Sequence, residues 1–542
     1  MKTERENNVC GKTHDNCCNK AIETNRARGR LVSLSNHDPL LSIPAAVSKK
    51  VFHISLAVAA LASAVFADVR VSKLFSDNMM LQQDMDIRFW GYADDGESIT
   101  VSIVDADGRT LASGITTAAG GRWKLSLAPR KAGGPYEVRI TGRNIVTIKN
   151  VLIGEVWLAG GQSNMWYIVS NAMPGGNPAI EGAGELIRAA TNTRIRYFFD
   201  GLGGTNEPAL DVYESSKWKE TSPGNVIWFS AVGYVFAERL ARARNVPVGI
   251  IGTAVGGTSM QWWMPREALA ADPEFALYAQ KPWNPNLKRI FEQSTALYNA
   301  MIAPLTGFPM RGVIWYQGEN NARGATDDKL QNAVHFYRLF TALIRSWRSA
   351  WNDEKLPFLF VQLAPYGKHV DADPNDIALA YTRDAQLKSW QTTSNTAMAV
   401  ITDCGDKGDI HPLRKIPVGE RLSAAARAVV YGEKIEYSGP VFRSMKIDGA
   451  RIVIAFDHAN GLIAKDGSLT GIEISGPDGV FMPANAVIEG AAVRVSADAI
   501  AAPRYVRFGW ANYPEPVLNL YNSEGFPASP FSTAVTIGEY VK

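Results

Sequence analysis

Cysteine is scarce in this chain. Four of its 542 residues are Cys, and three of them, Cys10, Cys17 and Cys18, fall ahead of residue 68. Beyond that point Cys404 stands alone, so no disulfide framework staples the fold. The spacing of the first three lacks a second ligand pair for zinc. Histidine is nearly as rare, at seven. His335 and His369 sit in or after helical stretches and His458 falls in a β-rich region, so a three-ligand metal site is poorly supplied. An excess of one charge sign is missing too. The chain carries 56 Lys/Arg and 53 Asp/Glu, formally +3. Nine and five of these lie in residues 1–67, leaving 47 basic and 48 acidic groups, a net of −1. That balance does not ask for a nucleic-acid partner. Repeats and low-complexity linkers are also lacking.

No apolar run reaches the ~20 residues that a membrane span requires. The best one, 51–66, is broken by His53, Ser55 and Ser63. It follows Lys49 and Lys50 and ends in Ala64-Val-Phe-Ala67 before Asp68. A positive start, a short apolar middle and small residues at the end describe a secretory signal peptide over 49–67. The expected product is secreted or periplasmic, with no stable membrane insertion after cleavage; an uncleaved anchor is the competing reading. Residues 1–48 are polar and unusual ahead of such a segment. They read as an over-extended translation start. With no Met between Met1 and Met79, that start would be a non-ATG codon.

What is present is globular: 46% hydrophobic and 20% charged residues, with 14 Trp and 18 Tyr. The length predicts two to four domains. Residues 68–150 read as an N-terminal β domain. Period-two stretches at 87–90, 98–103, 123–127 and 136–140 are separated by Asp95-Gly96, Asp107-Gly108 and Gly133-Gly134 turns. From 151 to 432 apolar strands at 152–159, 247–252, 311–316, 357–363 and 397–402 alternate with helical patterns, clearest at 229–244, 327–351 and 417–431. Strand–helix alternation predicts an α/β domain with a parallel sheet covered on both faces. Residues 433–542 return to β rhythm, with strands at 451–456, 471–474, 492–495 and 505–508.

The chemistry is expected at the strand ends. Val156 to Ala159 form a buried strand, Gly160 and Gly161 break it, and Gln162, Ser163 and Asn164 follow. A serine there is held out at the sheet rim, where open α/β sheets place reactive groups. The bland alternative is a helix cap. Three later loops supply partners. Gly256-Gly-Thr258 follows a strand and can bring backbone N–H groups close to a ligand. Gln317-Gly-Glu-Asn-Asn321 ends another strand with amide donors suited to an oxyanion. His411, with Asp403, Asp406 and Asp409 just before it, suits a general base held by an acid. The order Ser163, Asp409, His411 on one sheet edge favours a serine hydrolase.

The same blocks carry a resemblance. Gly161-Gln-Ser-Asn-Met165, Gly256-Gly-Thr258, Trp315-Tyr-Gln-Gly-Glu319 and Asp409-Ile-His-Pro412 look like those of SGNH-type hydrolases. They are specifically similar to the sialate O-acetylesterase family, over roughly residues 68–535. Further similarity lies in Asn78-Met-Met-Leu-Gln82, Pro247-Val-Gly249 and Asn519-Leu-Tyr-Asn522. The resemblance implies a flavodoxin-like three-layer α/β/α core with N-terminal and C-terminal β-sandwich-like domains. It also implies hydrolysis of acetyl esters on carbohydrates without metal or cofactor. On that pattern Ser163 is the nucleophile and His411 the base, with Asp409, or else Asp406 or no acid, orienting it. Gly257 and Gln317 would form the oxyanion hole with the Ser163 amide, Asn320 being the alternative to Gln317. Glu319 would orient neighbouring loop groups. Trp166, Tyr167, Trp262, Trp263 and Trp283 lie near these motifs in sequence, where some would stack on sugar.

The expected substrate is an O-acetylated carbohydrate, sialic acid first and acetylated xylan or another plant glycan second. Two readings from other classes compete. A non-catalytic glycan-binding protein would have no need of the Ser163/His411 pair. A lipase-like hydrolase is disfavoured because Met165 stands where a Gly-x-Ser-x-Gly elbow requires glycine, and no long apolar lid is evident.

Overall fold

The computed structural model describes residues 68–170, 176, 178–213, 215–322, 324, 326–367, 377–534 and 537. The expected leader and signal segment, 1–67, lie outside these. Among the described residues no helix is long and apolar enough to cross a membrane.

Seven strands form the sheet that organises the site. They are β1 (Ile145–Gly161), β2 (Ile195–Phe199), β3 (Trp218–Glu220), β4 (Val248–Ala254), β5 (Gly312–Tyr316), β6 (Phe358–Val361) and β7 (Thr396–Ala399). Their order is β3-β2-β4-β1-β5-β6-β7. All neighbours are parallel except β3, which pairs antiparallel with β2 at the edge. Every residue of β4 to β7 is buried, as a parallel sheet covered on both faces demands. The five strands expected from apolar runs are present. β2 and β3 were not expected, because a charged residue interrupts each: Arg196 in β2 and Lys219 in β3. Arg196 is nonetheless buried, paired with Glu220 and Asn150.

Alternation along the strands divides the interior into two cores. Val156, Leu158, Val313, Trp315, Phe358 and Phe360 point to one. Trp157, Ala159, Ile314, Tyr316, Leu359 and Val361 point to the other. Helices α2 (Ala231–Arg244) and α6 (Ile416–Ala425) cover the second. Helix α4 (Lys329–Trp351) covers the first and packs against α5 (Ala378–Thr392). Two apolar faces with helices on each give the three layers.

The N-terminal β region grows out of the same sheet. β1 is 17 residues long: its burial alternates at first, then every residue from Val151 to Gly161 is buried. Its first part pairs antiparallel with Gly133–Thr141 and its last part pairs parallel with β4 and β5. One strand thus runs from half-buried antiparallel sheet into fully buried parallel sheet, across position 150/151. The Met80–Gln82 strand lies beside its middle. There the buried Glu155 accepts from Gln82 Nε2 (3.2 Å), Gln83 Nε2 (2.6 Å) and Arg311 Nε (2.7 Å). A buried carboxylate needs such partners. The expected strands of this region lie within Ile87–Tyr92, Ser98–Val104, Arg122–Leu127 and Gly133–Thr141.

The C-terminal region contains two four-stranded antiparallel sheets around a separate apolar cluster that includes Ile454, Ile474, Val493, Val506 and Phe508. Arg383 on α5 fastens it to the α/β layers. Its fully buried guanidinium donates to the carbonyls of Leu363 (2.8 Å), Ala364 (3.1 Å), Ala511 (2.8 Å) and Asn512 (2.8 Å).

Candidate active site

The register of the three central strands sets the site. Gly161 at the end of β1 lies level with Ala254 of β4 and Tyr316 of β5. The loops that follow therefore leave from one edge. β4 and β5 flank β1 on opposite sides, and an open α/β sheet has its crevice at such a switch point. Gly161 has φ +138°, and a Cβ there would lie 2.1 Å from the Tyr316 carbonyl oxygen. Only glycine allows the chain to turn so close to β5.

The turn delivers Ser163 as the first residue of α1 (Ser163–Trp166). It is not that helix's N-cap, a position that falls to Gln162. Its Oγ instead lies 2.8 Å from His411 Nε2. The turn is held from behind by Ser230. The Ser230 Oγ donates to the Met165 carbonyl (2.5 Å) while accepting from Gly233 N (3.0 Å) as the N-cap of α2.

His411 sits on the loop between β7 and α6. Its Nδ1 is 3.3 Å from Asp409 Oδ1, and its backbone N–H donates to the same oxygen at 2.9 Å. The Asp409 side chain is 58% exposed against 26% for His411, so the acid orients the ring from the solvent side. Asp406 faces its own loop, accepting from Gly408 N (2.7 Å) and Asp409 N (3.0 Å). Burial depresses the imidazole below its ordinary value of 6.5; Asp409 opposes this and Lys415 adds to it. At neutral pH the ring is therefore unprotonated and able to accept a proton.

The loop after β4 packs directly against the serine, a Cβ on Gly256 falling 3.5 Å from that of Ser163. Gly257 is exposed with φ +68°. Among the described residues, neither the Ser163 nor the Gly257 N–H donates to a protein acceptor. Arg289 Nη2 donates to the Gly256 carbonyl at 3.0 Å. In a planar trans peptide the N–H points opposite the C=O, so this bond turns the Gly257 N–H away from Arg289.

Gln317 reaches the same cluster from the end of β5. Both of its amide hydrogens are engaged, with the Thr258 carbonyl (3.0 Å) and Asn321 Oδ1 (2.7 Å). The hydrogens meant for an oxyanion thus face protein acceptors in this arrangement, and Gln317 braces the glycine loop. Asn320 Nδ2 donates to Ser259 Oγ at 2.5 Å, which leaves its second amide hydrogen free of that bond.

Behind the serine lies a cluster the motifs did not reveal as one. Lys415 Nζ donates to Asn164 Oδ1, and Asn164 Nδ2 donates to Glu319 Oε1 (2.5 Å) and to the Ile410 carbonyl (3.0 Å). All three side chains are buried. Glu319 meets the turn bearing Ser163 through this bond to Asn164. Lys415 and Arg289 gave no sequence signal: each follows another basic residue in a stretch that reads as solvated surface.

The aromatic residues divide. Trp263 is core, wedged edge-on against Trp315. Tyr167 is buried with its ring 6.2 Å from that of His411. Trp166, Trp262 and Trp283 are half-buried.

Comparison with known proteins agrees with this geometry. The family described as carbohydrate esterase, sialic acid-specific acetylesterase, matches residues 221–425. That span holds the Gly257, Gln317 and His411 loops but not Ser163. A sialate O-acetylesterase from Rattus norvegicus is 27% identical over 533 residues, covering 86% of this chain and 94% of its own length. The sialate O-acetylesterase of Homo sapiens is 29% identical over 403 residues, covering 69% and 73%. Among solved structures, a carbohydrate acetylesterase from Xanthomonas citri is similar with a TM-score of 0.75 and 36% identity, covering 86% of this chain and 99% of that one.

Proposed function

This chain belongs to the sialate O-acetylesterase family of carbohydrate esterases and is a carboxylic ester hydrolase; from that premise we propose that it removes O-acetyl groups from sialic acids through an acetyl-serine intermediate on Ser163. The observation that carries the mechanism is the 2.8 Å contact between Ser163 Oγ and His411 Nε2. His411 takes the serine proton as Oγ attacks the acetyl carbonyl, and Asp409 holds the Nδ1–H that makes Nε2 the acceptor. The oxyanion forms against the Ser163 and Gly257 N–H groups, neither of which has a protein acceptor among the described residues. A Gln317 hydrogen would join them only by releasing Thr258 or Asn321. The alcohol of the sugar leaves with the proton from His411, and water activated by the same imidazole then hydrolyses the acetyl-enzyme. The assignment to sialic acid rests on the matched family and on the names of the relatives. Export by the 49–67 signal would bring the enzyme to glycans outside the cytoplasm.

Acetate release from 4-nitrophenyl acetate, acetylated sialic acid and acetylated xylan tests the reading. Wild type is expected to cleave all acetyl esters it can seat, sialic acid best, and Ser163→Ala none at a comparable rate. Full activity in Ser163→Ala overturns the mechanism. Preference for xylan overturns the substrate assignment alone, and glycan binding without any ester cleavage would point to a non-catalytic protein.

A further inference from the structure

The cluster behind the nucleophile places two opposite charges in the interior of the catalytic layer. Lys415 is 0% and Glu319 7% exposed. They do not touch directly; the Asn164 carboxamide stands between them, its Oδ1 on the ammonium and its Nδ2 on the carboxylate. The second Nδ2 hydrogen goes to the Ile410 carbonyl at 3.0 Å. Asn164 follows Ser163 and Ile410 precedes His411, so one carboxamide is bonded to the His411 loop, the start of α6 and α3 (Glu319–Ala322). Burying a lysine and a glutamate carries a large desolvation cost. An apolar pair would fill the same space without that cost, so stability gives no account of these charges. What they supply is direction, because charge-assisted bonds are short and hold their geometry.

We propose that Lys415 and Glu319, joined through Asn164, are positioning residues for the esterase reaction that lock the turn bearing Ser163 to the loop bearing His411. The inference rests on the Ser163/His411 reading above. Lys415 also acts on the base through its field. The titratable groups facing it are Glu319 from α3, Asp409 and His411 from their loop, Cys404, and the rings of Tyr167 (5.0 Å) and Tyr316 (5.7 Å). Burial pushes the ammonium down to about 7, with Glu319 opposing. Below that pH its positive charge disfavours protonation of His411.

Lys415→Met removes the charge and keeps the volume. The expected result is a fall in kcat of about 10²-fold with KM little changed, since a small misplacement of the reacting atoms costs that much. The acid limb of kcat/KM should also move to higher pH, because His411 then protonates more readily. Lys415→Met leaves Glu319 as an uncompensated buried carboxylate. If that protein does not fold, Lys415→Met with Glu319→Gln buries no charge and carries the test with the same two expectations. Wild-type kcat with an unmoved limb in a folded variant overturns the proposal. So does a loss of kcat with an unmoved limb, which would mark a merely structural role. Ser163→Ala in the same assay separates the failures: activity there removes the nucleophile and this proposal with it, whereas an inactive Ser163→Ala leaves Lys415→Met to be judged alone.

Discussion

Asp409 and Lys415 act on the same imidazole with opposite signs. Asp409 stabilises the protonated ring from the solvent side and Lys415 destabilises it from the interior. Asp409→Asn should therefore shift the acid limb of kcat/KM to lower pH, opposite to Lys415→Met. Its effect on rate should be modest, roughly tenfold or about 1.4 kcal/mol, because an acid more than half exposed is screened by water. A pH profile of the two variants beside wild type measures both signs at once, and limbs unmoved in both would remove His411 as the titrating base. Arg289 works on the other half of the site. Its bond to the Gly256 carbonyl holds the peptide whose N–H is the proposed oxyanion donor. Arg289→Ala is expected to lower kcat by about tenfold, less than the 10²–10³ for deleting a donor outright, with KM for 4-nitrophenyl acetate little changed. A fall confined to KM would make Arg289 a substrate contact instead.

The loop that carries His411 is anchored at its start by an ion pair linking it to α6. Arg421 donates to both oxygens of Asp403, at 2.6 and 2.8 Å, and to the Val400 carbonyl at 2.9 Å. Both side chains are about nine-tenths buried. Arg421→Met would leave the Asp403 carboxylate buried without its partner, at an expected cost of about 3 kcal/mol, read as a lower denaturant midpoint. Burial pushes the Asp403 carboxyl up, yet the bonds and charge of Arg421 hold it below the usual range. The stabilisation is therefore present above the unfolded-state pKa and fades as pH falls through the folded one. Wild type should lose stability on the acid side that Arg421→Met has already lost, so their midpoints should converge as pH drops. At this scale the elements are readable from residues wherever burial leaves a pattern. β4 to β7 are apolar runs because both faces are covered. β2 escaped because buried Arg196 interrupts it, and Gln317 shows that residue type identifies a donor but not where its hydrogens go. Lys415 escaped for a related reason. An Arg-Lys pair before a helix looks solvated, and only the tertiary structure buries the second of them.

Across the molecule, the strand β1 decides how the parts depend on one another. The rhythm of the sequence changes near residue 150, from alternating to continuously apolar, and this reads as a domain boundary. The structure shows the same change as one strand passing from a half-covered to a fully covered sheet. A strand cannot be unfolded in one half while its other half keeps its register without losing the ladder at the junction. The Glu155 carboxylate reinforces that point by tying Gln82, Gln83 and Arg311, the residue just before β5, to β1. The N-terminal β region and the catalytic sheet should consequently unfold together. Glu155→Ala strands Arg311 and two buried amides, at an expected cost of about 3 kcal/mol. In urea, circular dichroism, tryptophan fluorescence and residual esterase activity should move to a lower midpoint as one coincident transition. If activity outlasts an early spectroscopic step, the N-terminal region comes away alone and β1 does not couple it to the site. Coincidence would mean that Ser163, two residues past the far end of the same strand, is held in place partly by sheet pairing that begins at Ile145.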